Sequence, residues 1–402
     1  MAGGAGEQTT ADTALRFATG VERIWRGEAG VAGAVLLAAL MPCEAAYRIL
    51  SGAYHALYTR GVRRQHRVGI PVISVGNISV GGTGKTPVTR WVVEELRRRG
   101  ARPAVLHGGY APDEPALHRT WYPDVPVIVG RDRIAGGARA IEAGADVVVL
   151  DDGFQHRRLA RDLDVVLVAA EGWTARPKLL PRGPWREPPK ALHRADIVVV
   201  TRRTAPAETA SEVASAVRRW APDATIARVH LRPMGWRPAR VYAGNMEVGG
   251  EGAPAPDLRG GVASEGTADT LETVGERRAD PPAGEVIAVA AIARPGDFVA
   301  NAVAAGANVV DAVLYRDHHA YDADDVKRIA AVAAGRPIVT TAKDAVKLAT
   351  LAPELDLWVL EQGVVVEEGA EAIGTRLDAL LGRSRRYGTA SPTNATIGGT
   401  GG

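Results

Sequence analysis

The segment SVGGTGKTP, Ser79 to Pro87, stands between a run of β-formers, IPVISVG, and a stretch whose Val88, Val92 and Leu96 share one helical face. A glycine-rich loop joining a strand to a helix turns successive backbone N–H groups inward around an anion, and the helix N-terminus adds its dipole. The spacing assigns nucleotide phosphates to Gly81, Gly82, Thr83, Gly84 and Lys85, with the Thr86 hydroxyl on Mg2+. The strict Gly-x4-Gly-Lys-Thr pattern has glycine where Ser79 stands. The strand and helix on either side carry the assignment.

Such a loop belongs to a parallel sheet, and the chain supplies one. PAVLH, PVIVG, DVVVLDD, DVVLVAA and DIVVVT follow, alternating with helical stretches near 85 to 99 and 133 to 143. Nearly continuous Val, Ile and Leu marks strands buried on both faces. A helix from about Ala205 and the strand ATIARVHL close the first run. After residues 243 to 284, rich in Gly, Ala, Pro, Glu and Asp, the alternation resumes with EVIAVAAIA, NVVDAVLYRDHH, RPIVTTAKD and LDLWVLE. The expected fold is α/β: a P-loop NTPase-type, doubly wound, mostly parallel sheet with a second smaller α/β lobe and an N-terminal amphipathic helix. The expected division is a tail over 1–29, the amphipathic segment over 30–67, the kinase core over 68–235, the second lobe over 236–381 with a flexible insertion at 243–284, and a structureless tail over 382–402.

Between Val31 and Tyr58, Leu36, Leu40, Cys43, Tyr47, Leu50, Tyr54 and Leu57 recur at threes and fours, the stripe of an amphipathic helix that Pro42 should bend. RGVRRQHR, residues 60 to 67, follows with four arginines and no acid. An apolar stripe beside clustered cations predicts attachment to an anionic membrane surface, and the competing reading is a helix packed on its own domain. The apolar run from Gly30 to Cys43 is shorter than the roughly 20 residues that span hydrocarbon. A net charge of +3 over 402 residues gives no nucleic-acid footprint. The single cysteine excludes an internal disulfide and points to a reducing compartment.

DVVVLDDGFQH, Asp146 to His156, ends a buried strand in paired carboxylates, the setting of the acid that holds Mg2+ beside a phosphate loop. Neighbours on a strand point to opposite faces, so Asp151 and Asp152 serve different partners.

GNISVGGTGKTP, DEP at Asp113 to Pro115, VGRDR, DDGFQH, LLPRGPWREP, AIARPGDF, DHHAY and TTAKDAVKL occur together in this order. Over about residues 30 to 381 the chain resembles the tetraacyldisaccharide 4'-kinase (lipid A 4'-kinase) family. The resemblance implies transfer of the ATP γ-phosphate to the 4'-hydroxyl of an acylated glucosamine disaccharide 1-phosphate. It also implies a peripheral position on the cytoplasmic face of a Gram-negative inner membrane. Carried over position by position, Asp113 and His318 are the acid-base pair and Asp151 a catalytic carboxylate. Arg186 lines the transfer site, and Thr86, Asp152 and Glu187 hold Mg2+.

Two departures accompany the resemblance. Family members carry an SRGYG-like sequence and a spacer before DEP; here Gly108 replaces the arginine and Asp113 follows almost at once. The insertion at 243–284 is the other. Two competing functions therefore stand beside the kinase: a P-loop ATPase or regulatory switch, and a degenerate homologue that binds nucleotide without phosphorylating lipid.

Overall fold

A computed structural model of the chain describes residues 20–25, 27–109, 111–174, 176–244 and 277–387. The expectations for residues 1–19, for 245–276 of the insertion and for the tail from 388 lie outside the described residues.

Among the described residues eleven strands, numbered β1 to β11 in chain order with their ranges given next, form one sheet in the order β3-β2-β4-β1-β5-β6-β7-β11-β10-β8-β9. The first seven are β1 (Val72–Asn77), β2 (Pro103–His107), β3 (Val127–Val129), β4 (Val147–Asp151), β5 (Leu163–Ala169), β6 (Ile197–Arg202) and β7 (Thr225–Pro238), all parallel. The rest, β8 (Glu285–Ala290), β9 (Asn308–Leu314), β10 (Ile338–Thr340) and β11 (Leu357–Glu368), are parallel among themselves. The two sets meet where β7 and β11 pair antiparallel along nearly their whole lengths. Residues 235 and 236, where the lobes were expected to divide, fall inside β7, which belongs to both sets.

Strand side chains alternate between two apolar layers. Ile73, Val149, Val165 and Val199 pack on one face with α4 (Lys85–Arg98), α5 (Asp113–Trp121), α10 (Ala342–Leu351) and α11 (Ala370–Tyr387). Val72, Val148 and Leu150 face the other way toward α6 (Arg133–Glu142), and Val166, Val198 and Val200 toward α7 (Ala207–Arg218). Strands buried on both faces explain the uninterrupted Val and Ile runs. In the second set, α8 (Pro295–Ala304) packs on Val286 and Ala288, and α9 (Ala323–Ala333) joins the α4 layer through Ile329. Helix α11 runs to Tyr387, past the expected start of the tail at 382, because Ile373, Leu377, Leu380 and Leu381 supply a buried stripe.

The N-terminal segment comprises α1 (Gly20–Trp25), α2 (Gly30–Ala39) and α3 (Met41–Thr59), and α2 and α3 are bent by 45° at the break before Pro42. Among the described residues no single helix is long and apolar enough to cross a membrane, although the bent pair passes by length and composition. The expected stripe divides between two sides. Leu37, Glu44, Tyr47, Tyr54, His55 and Tyr58 face the body, whereas Val31, Val35, Leu36, Ile49 and Leu50 are exposed, the last two at 70%.

Candidate active site

The loop after β1 enters α4 through Gly84, whose φ of +88° is left-handed. A Cβ there would collide with Leu231, so glycine is required by both conformation and space. Asn77 Nδ2 donates to Thr83 Oγ1 at 2.8 Å and Thr201 Oγ1 donates to the Thr83 carbonyl at 2.9 Å, bracing the loop from β1 and β6. The Arg203 guanidinium donates to the Gly82 carbonyl. The loop edges a cavity of about 450 Å³ lined by residues 80–87, with Glu114, Asp152, Arg186, Arg203, Asp317, His318 and Lys343 among its walls.

Walls come from both strand sets. Arg203 follows β6, Ile292 follows β8, His318 follows β9 and Thr341 follows β10. The sets run in opposite senses, yet the loops after their strands meet in one cavity. The β7–β11 pair carries a register shift between Glu361 and Gln362, the kind of irregularity at which a strand can kink and twist. Gly235, opposite Glu361, has φ of +133°.

Asp152 lines the cavity at φ +57°, a conformation that non-glycine residues hold only when the surroundings impose it. Its carboxylate lies 3.5 Å from Lys85 Nζ and accepts from Arg186 at 3.0 Å. Asp151, its neighbour on β4, turns away. It is fully buried and accepts from Thr89 Oγ1 at 3.2 Å, with His118 Nε2 at 3.0 Å. Arg186 reaches the site because its segment is laid against the start of the loop, the Arg186 N–H donating to the Ile78 carbonyl and the Val80 N–H to the Pro184 carbonyl. Glu187 is not brought into the cavity. It is 2% exposed, pairs with Arg194 at 2.7 Å and His55 at 3.2 Å, and accepts from Gln155.

Asp113 and His318 are brought together. His318 Nδ1 lies 3.1 Å from each Asp113 oxygen, and His318 itself has φ of +55°. Asp113 is 1% exposed and lies behind the imidazole, which lines the cavity. The Asp113 hydrogen bond raises the proton affinity of His318 against the opposing effect of burial. For Asp113 burial favours the neutral acid, but the His318 bond and the Lys343 and Lys347 charges outweigh it and hold the carboxyl below its usual range.

Glu114, beside Asp113, was not singled out by sequence reasoning, although an acid in the first turn of a helix after a strand was a readable signal. Its Oε1 accepts from Thr86 Oγ1 at 3.4 Å, its Oε2 pairs with His107 at 3.0 Å, and Lys343 contacts it from α10. Thr86, Glu114 and Asp152 give the cavity the oxygen donors that Mg2+ prefers. Glu114 also groups with buried His107 and Asp151, the ligand atoms of the three all within 4.8 Å of one another. The residues therefore fit a hard divalent cation beside the phosphate loop.

The family model for tetraacyldisaccharide-1-P 4'-kinase matches residues 36–112 and 111–381, its two segments meeting beside the shortened loop at Gly108. The chain is 39% identical over 392 residues to the tetraacyldisaccharide 4'-kinase of Anaeromyxobacter sp. (strain Fw109-5), covering 90% of this chain and 97% of that one. It is 34% identical over 378 residues to the enzyme of the same name from Geobacter metallireducens, covering 86% and 98%. In fold it is similar to Aquifex aeolicus LpxK, solved as its "apo" form in complex with ATP, with a TM-score of 0.61 at 24% identity over 86% of this chain and 99% of that one. With a family model that matches residues 36–112 and 111–381, and relatives 34% and 39% identical over nearly their whole lengths, the chain belongs to the tetraacyldisaccharide-1-P 4'-kinase family.

Proposed function

We propose that this chain transfers the γ-phosphate of ATP to the 4'-hydroxyl of a tetraacylated glucosamine disaccharide 1-phosphate. The observation that carries the reading is the meeting of the Lys85 loop and the Asp113–His318 pair at one cavity. A switch needs the first of these and has no use for the second.

In this mechanism the loop N–H groups and Lys85 hold the β- and γ-phosphates, and Arg186 draws charge on the transferring group. Thr86, Glu114 and Asp152 would hold Mg2+, which would supply neutralisation of phosphate charge. The acceptor oxygen forms a bond to the γ-phosphorus as the bond to the β–γ bridging oxygen breaks, and ADP leaves. The hydroxyl proton passes to His318 Nε2, while Asp113 keeps Nδ1 protonated and stabilises the imidazolium. Within the acid-base pair, His318 and not Asp113 is the group placed to take the proton. Asp113 is 1% exposed and lies outside the cavity lining, whereas the His318 ring lines it.

The departure at Gly108 does not separate the machinery. Asp113 still begins α5 beside His318, which favours a working enzyme over a degenerate homologue.

We also infer that α2, α3 and the arginines after them sit on the anionic cytoplasmic surface of the inner membrane. Apolar side chains on the outward side of α2 and α3, followed by exposed Arg60, Arg63, Arg64 and Arg67, support this reading.

Incubation with ATP, Mg2+ and purified tetraacyldisaccharide 1-phosphate tests the proposal by mass spectrometry. A lipid bearing one added phosphate is expected. ATP hydrolysis with the lipid unchanged restores the ATPase or switch.

A further inference from the structure

Two lysines of α10, one helical turn apart, face successive carboxylates of α5. Lys343 pairs with Glu114 and lines the cavity. Lys347 lies deeper, with its side chain 9% exposed, and does not line the cavity. Its ammonium stands 3.5 Å from Asp113 Oδ2 and 3.5 Å from Asp344 Oδ1, and it donates to the His319 carbonyl at 3.1 Å. The ammonium therefore makes one hydrogen bond to the turn and two ion pairs with carboxylates around the Asp113–His318 pair.

Those oxygens are themselves fixed. Asp344 is fully buried and accepts from Tyr321 Oη at 3.1 Å, Thr341 Oγ1 at 2.7 Å and the Ala291 N–H at 3.0 Å. The Ala291 carbonyl accepts the His318 N–H at 3.1 Å, so one residue ties Asp344 to the backbone of the histidine. The His319 ring stacks on Tyr315 with centroids 4.5 Å apart and pairs with Asp325 at 2.7 Å. Lys347 is thus the link between the carboxylate that orients His318 and the turn that carries His318 in its left-handed conformation.

We propose that Lys347 is a positioning residue for phosphoryl transfer: its ammonium joins Asp113, the His319 carbonyl and Asp344, and so fixes the angle at which His318 faces the cavity. The inference rests on the kinase reading above and deepens it. Lys347 lies outside the cavity lining and acts through Asp113 and the turn.

The test is Lys347→Met, with Lys347→Arg as rescue. Loss of a group that orients a functional side chain lowers activity about 10- to 100-fold. For Lys347→Met that loss is expected in kcat for the lipid acceptor, with KM for ATP nearly unchanged, and Lys347→Arg should recover part of it. In an Asp113→Asn background the same substitution should cost little more, since the pair it serves is already broken. Proton NMR of histidine-labelled protein supplies a readout independent of turnover. The hydrogen-bonded Nδ1–H resonance that disappears in His318→Ala should move or broaden in Lys347→Met. A folded Lys347→Met protein with parental kcat, an unmoved His318 resonance, or losses that multiply with those of Asp113→Asn would each overturn the proposal. Lys347→Gln keeps a donor and carries the same readouts where the Met variant does not fold. Should the parent protein leave the lipid unphosphorylated, the kinase reading fails, and the resonance still decides whether Lys347 orients His318.

Discussion

The Tyr47 hydroxyl donates to the Arg186 carbonyl at 2.9 Å across 139 residues of sequence, tying helix α3 to the residue that grips Asp152. Nearby, Glu44 accepts from the Leu179 N–H at 2.9 Å and pairs with Arg182, and His55 pairs with Glu187. One side of α3 therefore holds the segment that lines the cavity, while its other side is apolar and exposed. The helix with this exposed apolar side is fastened to the phosphate site through Tyr47, Glu44 and His55.

Tyr47→Phe removes the first of these and leaves the ring packing intact. A single hydrogen bond is worth about 0.5–1.5 kcal/mol, so a modest loss of thermal stability is expected. If α3 orients the Arg186 segment, kcat should also fall severalfold at unchanged ATP affinity. A melting curve and steady-state kinetics measure both, and unaltered kinetics would reduce the contact to a structural one.

Lys85→Ala should fold normally and lose transfer. Its ammonium faces Asp152 at 3.5 Å and, with nucleotide present, the phosphates, so most of its contribution is to charge on the γ-phosphate. Circular dichroism beside the lipid kinase assay checks this. Parental turnover in a folded Lys85→Ala protein would remove the loop from the reaction.

For the membrane, flotation with anionic liposomes should weaken as salt rises, because exposed arginines near a charged surface add about 1 kcal/mol each and are screened. Ile49→Glu with Leu50→Glu should weaken it further, both side chains being 70% exposed. Flotation indifferent to salt and to both substitutions would leave the segment as a strut on its own domain.

Much of this was legible in the sequence, and the omissions have physical causes. Buried parallel strands announce themselves as apolar runs, and the phosphate loop announces its own strand and helix. The short helices α5 and α10 did not show. Pro115 in the first turn of α5 reads as a breaker, though a helix tolerates proline there. At α10, Thr341 with Asp344 three residues on was a readable cap, and the Thr341 side chain does accept from the Asp344 N–H. Those two helices carry Asp113, Glu114, Lys343 and Lys347, so the polar network was the least visible part. The antiparallel pairing of β7 with β11 is a long-range match that local periodicity does not encode. Glu187 follows Arg186 in an irregular extended segment. With Arg186 turned to the cavity, its neighbour turns to Arg194, as alternation requires.

Stability should fall with acid before most carboxylates titrate. Burial, reinforced by neighbouring arginines, pushes both His55 and His156 down to about 4 from an ordinary 6.5. Above about pH 6.5 both states of the protein carry these rings neutral. As pH falls toward 4 the unfolded chain binds protons that the native chain refuses, so stability declines through that window and levels below it. Melting temperatures between pH 7 and 4.5 should show the slope, and His156→Gln should make it shallower. An unchanged slope would mean that His156 is freely protonated in the native state.

The last prediction concerns Asp113 and His318. If Asp113 orients the ring that receives the hydroxyl proton, His318→Ala and Asp113→Asn should each lower kcat by about 100- to 10,000-fold with little change in ATP affinity. The losses should not multiply, because either change disables the pair as a unit, and the double variant should be scarcely worse than the poorer single one. Asp113→Asn keeps shape and hydrogen bonding at 3.1 Å but presents Nδ1 with a neutral partner, so its defect reports lost charge and tautomer control rather than lost packing. Multiplying losses would give the two residues separate tasks. Loss of ATP binding in Asp113→Asn would move that carboxylate, with its neighbour Glu114, into the metal shell, and a nearly active Asp113→Asn would show that the shortened loop at Gly108 has released it from the reaction.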